Sequence, residues 1–197
     1  MIFKKDKKQA FWKWFIKHKG EIEGFIRDEN RNDFQIYHKL TKRMQQVNAD
    51  LMPELTLEGE THVLIISCDG ISAGIPYVQE LAASAPEIDN WVIKKFRQPS
   101  YTKKLEYEGF SLTVDDIKVQ YELDEEREKV DIIFKMAGYQ ENDDRFKALG
   151  FLFMDHILGE FNVMTRVGYV DFDKAGEKEE GLVDLIELRK VIEDNLY

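Results

Sequence analysis

Residues 117–136 read IKVQYELDEEREKVDIIFKM. Ile117, Val119, Tyr121 and Leu123 alternate with Lys118, Gln120, Glu122 and Asp124. Beyond the charged tip, Val130, Ile132, Phe134 and Met136 alternate with Asp131, Lys135 and Ala137. A period of two puts one set of side chains on a buried face and the other in water, so the stretch reads as a β-hairpin. Strands wetted on one side belong to antiparallel sheets, and their apolar face needs a helical layer to cover it. The fold class that follows is α+β: a two-layer, mostly antiparallel sheet with helices packed on one face.

Downstream, Gly138 ends the second strand. Asp143 and Asp144 suit the positive end of a helix whose buried stripe is Phe146, Leu149, Phe153 and Ile157, and Gly159 is its natural stop. A strand is expected from about 163 to 172, then a polar loop over 174–181 and a final helix from about 185 to 195. Upstream, Leu55 and Leu57 alternate with Thr56 and Glu58, Gly59-Glu60 forms a turn, and HVLIISC over 62–68 is a strand apolar on both faces, hence central in its sheet. Residues 72–84 read as a helix with Pro76 in its first turn, and 91–97 as another strand, with a weaker one near 105–109. Strand, helix, strand thus occurs over 62–97 and again over 130–172, a pseudo-repeat that predicts a ferredoxin-like or related sheet with the two units interleaved. The expected organisation is a single domain over 1–197, in which an N-terminal helical segment, 1–50, packs on an α+β body, 53–197.

That segment contains two helical stretches, 8–18 and about 32–49, separated by Gly20 and Gly24. The first, KQAFWKWFIKH, crowds Phe11, Trp12, Trp14, Phe15 and Ile16 among lysines. Its apolar arc is too wide for one use. We expect part of it to pack internally and the remainder, with Trp12, Trp14 and Phe15 as candidate binding residues, to contact a protein partner or a second subunit.

The chain has 197 residues and a formal charge of −10. Residues 1–20 hold seven lysines against Asp6, a local +6, so the remainder is an acidic body at −16. Such a body repels phosphate backbones, and nucleic acid is not an expected partner. No apolar run approaches the length of a bilayer span, no secretory leader is legible, and a single cysteine, Cys68, suits a reducing compartment: a cytoplasmic address without membrane association.

The twelve glycines form neither G-x-G-x-x-G nor a phosphate-binding loop, and no cofactor is expected. The four histidines, at 18, 38, 62 and 156, include no metal-ligand pair, so no metal is expected either. Only His156 has company. If helical geometry persists past Gly159, Glu160 lies one turn on and orients it as a general base, while Arg166 holds an anionic group. The competing reading is structural, because a histidine in a last helical turn complements the helix dipole and bonds terminal carbonyls. Cys68 ending an apolar strand reads as a core residue.

Phe11-Trp12-Lys13-Trp14-Phe15, the Cys68-Asp69-Gly70 turn and Asp155-His156-Ile157-Leu158-Gly159-Glu160 together resemble a family of uncharacterised bacterial single-domain proteins. The resemblance implies a bacterial cytoplasmic protein and carries no activity, cofactor or catalytic residue with it. The expected function is a non-catalytic binding or regulatory module; the alternative is a small hydrolase or transferase built on His156, Glu160 and Arg166.

Overall fold

The structure, a computed structural model, describes residues 6–28, 33–176 and 181–196. It is an α+β fold whose chain divides into two units, Met1–Arg97 and Gln98–Tyr197.

The first unit opens with α1 (Lys7–Lys17), α2 (Lys19–Arg27) and α3 (Gln35–Gln45). Asp6 starts α1 by accepting the amides of Lys8 and Gln9. Strands β1 (Met52–Glu58) and β2 (Thr61–Ser67) form the expected hairpin about Gly59, whose φ of +61° the turn requires. A short 3₁₀ turn over Ser72–Gly74 leads into α4 (Ile75–Ala83), with Pro76 in its first turn, and β3 (Trp91–Lys95) then pairs parallel to β2. The order β1-β2-β3 makes β2 central, and Val63 and Leu64, on its opposite faces, are both fully buried. Helices α2 and α3 pack on β1, so the N-terminal helical segment shares a unit with the first strands. Helix α2 departs from the sequence reading: Gly20 and Gly24 do not interrupt it, because burial of Ile22 and Ile26 one turn apart outweighs a glycine penalty of about 1 kcal/mol each.

The second unit begins with a hairpin of β4 (Lys104–Tyr107) and β5 (Phe110–Thr113), then β6 (Ile117–Asp124) and β7 (Lys129–Met136). The alternation of 117–136 is realised, with Ile117 opposite Met136 and Asp124 opposite Lys129. Helices α5 (Asp144–Leu158) and α6 (Glu160–Arg166) precede β8 (Val167–Lys174), which pairs parallel to β7, and α7 (Leu185–Asn195) closes the unit. Ile117, Val119, Val130, Ile132, Phe134 and Met136 join Phe146, Leu149, Phe153 and Ile157 of α5 and Leu185, Leu188 and Ile192 of α7 in one core, while Lys118, Gln120 and Glu122 stay in water. Helix α6 occupies residues expected to begin the last strand.

Both units repeat one plan, an antiparallel pair followed by a helical crossover to a parallel third strand. They do not interleave in a single sheet as the ferredoxin-like expectation had it. Among the described residues the strands form three sheets, because each third strand returns to its own second strand: Trp91 lies opposite His62, and Val167 opposite Val130. A short crossover closes on the nearest free edge.

Candidate functional site

His156 sits in the last turn of α5 and is exposed. The helix ends at Gly159, with φ +81°, where a Cβ would fall 2.7 Å from Pro99 Cδ. The chain therefore turns, and Glu160 begins a new helix instead of continuing the old face. Glu160 is fully buried while the His156 ring points to water, where Nδ1 lies 3.3 Å from Ser100 Oγ. The Ser100 amide donates to the His156 carbonyl at 2.7 Å, so Ser100 satisfies one free carbonyl of the helix end while its hydroxyl meets the ring. Arg166 donates from Nη1 to Glu128 Oε2 at 2.6 Å. The three candidate catalytic residues are thus not brought together: the i, i+4 relation of His156 and Glu160 is lost at Gly159, and Arg166 bonds to Glu128. What remains is an exposed serine–histidine contact, with no described residue bonded to the other ring nitrogen.

Trp12 and Phe15 correct the binding expectation: they are 3% and 0% exposed. Phe15 meets Trp91 edge to face at 4.9 Å between ring centroids, and Trp12 meets both Phe11 and Phe15 in the same manner. Only Trp14 is half-buried, stacked on His18 at 4.5 Å with the Arg43 guanidinium 5.9 Å from its ring. The wide apolar arc is explained by a helix wedged among α2, α3, α4 and β3.

Sequence reasoning passed over His62. It is 1% exposed, stacked on Trp91 at 5.2 Å, and its Nε2 accepts from Arg27 Nε at 3.3 Å. Glu23 Oε1 lies 3.9 Å from Nδ1 and accepts from the Trp91 indole at 2.8 Å. Asn90 Nδ2 lies 3.4 Å from Nδ1, so both ring nitrogens have a polar neighbour. A histidine at the start of an apolar strand offered nothing to mark this network, because its partners Glu23, Arg27 and Trp91 are distant in the chain.

The α1 and α3 faces combine into something neither sequence stretch shows alone. Lys7, Lys8, Lys13 and Lys17 on α1 and Lys39, Lys42 and Arg43 on α3 are seven cations, and the two helices carry no carboxylate. The helices pack together, and beside their contact lies a cavity of about 460 Å³ lined by Lys7, Ala10, Phe11, Arg43 and Gln46. Lys8 is committed to Glu80 on α4 at 2.9 Å, a hydrogen bond that raises its pKa and fixes its charge. Lys7 and Arg43 have no carboxylate partner among the described residues.

Asp116 and Asp124 both take part in turn chemistry. Asp116 accepts from the Thr113 amide and hydroxyl, each at 2.7 Å, and Asp124 accepts from the Arg127 amide and guanidinium. Cys68 is buried. Among the described residues no group of three His, Cys, Asp or Glu side chains could hold a metal ion, and no helix is long and apolar enough to cross a membrane. Against known proteins the chain matches no family model, no curated protein and no solved structure, so the reading of its function rests on its own residues.

Proposed function

We propose that the protein is a non-catalytic binding or regulatory module that recognises an anionic partner through the α1/α3 face. The observation that carries this reading is the pairing of two basic helices, without a carboxylate on either, around a cavity in a chain whose net charge is −10. Concentrating positive charge in an otherwise acidic protein costs self-repulsion only locally and gives a partner of opposite sign a defined landing point. The single, buried Cys68 supports a reducing, cytoplasmic setting, and the family resemblance supports a bacterial one.

Calorimetric titration with poly-L-glutamate at low and high salt tests the reading. Binding that weakens with salt, and weakens further in Lys7→Glu and Arg43→Glu variants, supports it. Absence of binding to the wild-type protein at low salt refutes it.

A second reading, a small hydrolase, is favoured by the 3.3 Å approach of Ser100 Oγ to His156 Nδ1. Against it stand the exposure of the pair and the distance of Glu160 and Arg166 from this role. Labelling of Ser100 by a fluorophosphonate, lost in His156→Ala, would establish it.

A further inference from the structure

We infer that the α1/α3 groove docks an acidic segment of a partner protein, seating one bulky apolar side chain of that segment on Phe11 between Lys7 and Arg43. The inference rests on the binding reading above and names the partner's chemistry.

The groove is present because of the residue sizes on α1. Lys7, Phe11 and Trp14 follow one another on successive turns, and Ala10 beside them is small enough to leave a hollow between α1 and α3. Phe11, 2% exposed, is its apolar floor, and Lys7, Arg43 and Gln46 are its rim. Arg43 is held in place by donating to Gln46 Oε1 at 3.3 Å and by its position over Trp14. At about 460 Å³ the hollow falls within the range of small ligand pockets, roughly 300–1,000 Å³, and accepts a large side chain. An occupant must therefore bring an apolar group for the floor and negative charge for the rim.

Other anionic partners fit less well. Single-stranded nucleic acid binds by stacking bases on aromatic faces. Here Trp12 and Phe15 are buried, the Trp14 ring already carries His18 and Arg43, and the residues lining the hollow include a single aromatic ring, Phe11, so successive bases find no stacking platform. A membrane-surface helix needs its aromatic side outward. On α1 that side is turned into the unit, leaving Ile16 as its exposed large aliphatic residue.

The test uses two short synthetic peptides of alternating Glu and Asp, one with a central Phe and one with Ala in its place, titrated by fluorescence anisotropy at low salt. The Phe peptide is expected to bind the wild-type protein about tenfold more tightly, the worth of burying one such side chain. Arg43→Glu weakens both peptides, and Ala10→Trp, which fills the hollow, abolishes the difference between them. Equal binding of the two peptides by the wild-type protein, with both still weakened by Arg43→Glu, overturns the apolar seat and leaves the basic face standing. Failure of both peptides to bind overturns the binding reading as well. Displacement of the Phe peptide by duplex DNA or by phosphatidylserine vesicles, at charge concentrations where poly-L-glutamate does not displace it, overturns the assignment to a protein segment. The change of anchor is made on the peptide, so the central comparison does not depend on any variant folding.

Discussion

Trp12 and Leu81 are joined by a hydrogen bond in which the indole Nε1 donates to the Leu81 carbonyl at 3.1 Å. Leu81 is in the last turn of α4, where carbonyls have no partner within the helix. Ser84 Oγ donates to the same carbonyl at 2.8 Å and lies 3.1 Å from the indole nitrogen. A single side chain thus fills the core and completes the end of a second helix.

Trp12→Ala is expected to cost about 3–5 kcal/mol by opening a cavity, and Trp12→Phe about 1–2 kcal/mol by removing the donor while keeping most of the bulk. All three tryptophans, at 12, 14 and 91, belong to the first unit, so tryptophan emission during urea unfolding follows that unit. An unchanged urea midpoint in both variants would show that α1 does not contribute to the stability of the unit.

Two helical glycines should respond oppositely to alanine. At Gly150 in α5 a Cβ would fall 2.5 Å from Phe172 Cε1, so Gly150→Ala destabilises by about 1–3 kcal/mol despite alanine's helix propensity. At Gly24 in α2 nothing lies within 4 Å, and Gly24→Ala stabilises by about 0.5–1 kcal/mol. Far-UV circular dichroism melts measure both. Adding Phe172→Leu to Gly150→Ala should return part of the loss, since the clash is with the ring.

The side chain of Arg145, bonded to Asp143 at 2.7 and 2.8 Å, holds the Asp143 carboxyl below its ordinary 3.8. Lys135 does the same for Asp173. Between each lowered value and 3.8 the unfolded chain binds more protons than the folded one, so stability rises with pH there. The contribution is complete above the unfolded value and is lost as pH falls through the folded one. Unfolding midpoints of Asp143→Asn, followed from pH 5 downward, should therefore fall less steeply than those of the wild type. Parallel curves would contradict the assignment.

His62→Ala removes the ring on which Trp91 stacks and the acceptor of Arg27, and should cost about 2 kcal/mol. His62→Phe keeps the stack and loses the acceptor, and should fall between alanine and the wild type. Urea midpoints read by tryptophan emission separate the two variants. Equal midpoints for the two variants would mean that stacking contributes nothing.

What the amino-acid sequence determined alone is what short-range periodicity determines. The strands at 117–136, the hairpin about Gly59, the helix ending at Gly159 and the α+β class were all legible because alternation, capping and turn residues act over a few positions. Local signals also misled where packing outweighed them, as at Gly20 and Gly24 within α2, or where a glycine restarted a helix, as at Gly159 before α6. Tertiary structure alone decided which strand pairs with which. The pairing of Trp91 with His62 and of Val167 with Val130 separates the repeated units into their own sheets. It also buried Trp12 and Phe15 and set Lys7 beside Arg43 across the hollow left by Ala10. Each of these joins residues far apart in the chain, and such contacts arise from burial and shape, which no local pattern encodes.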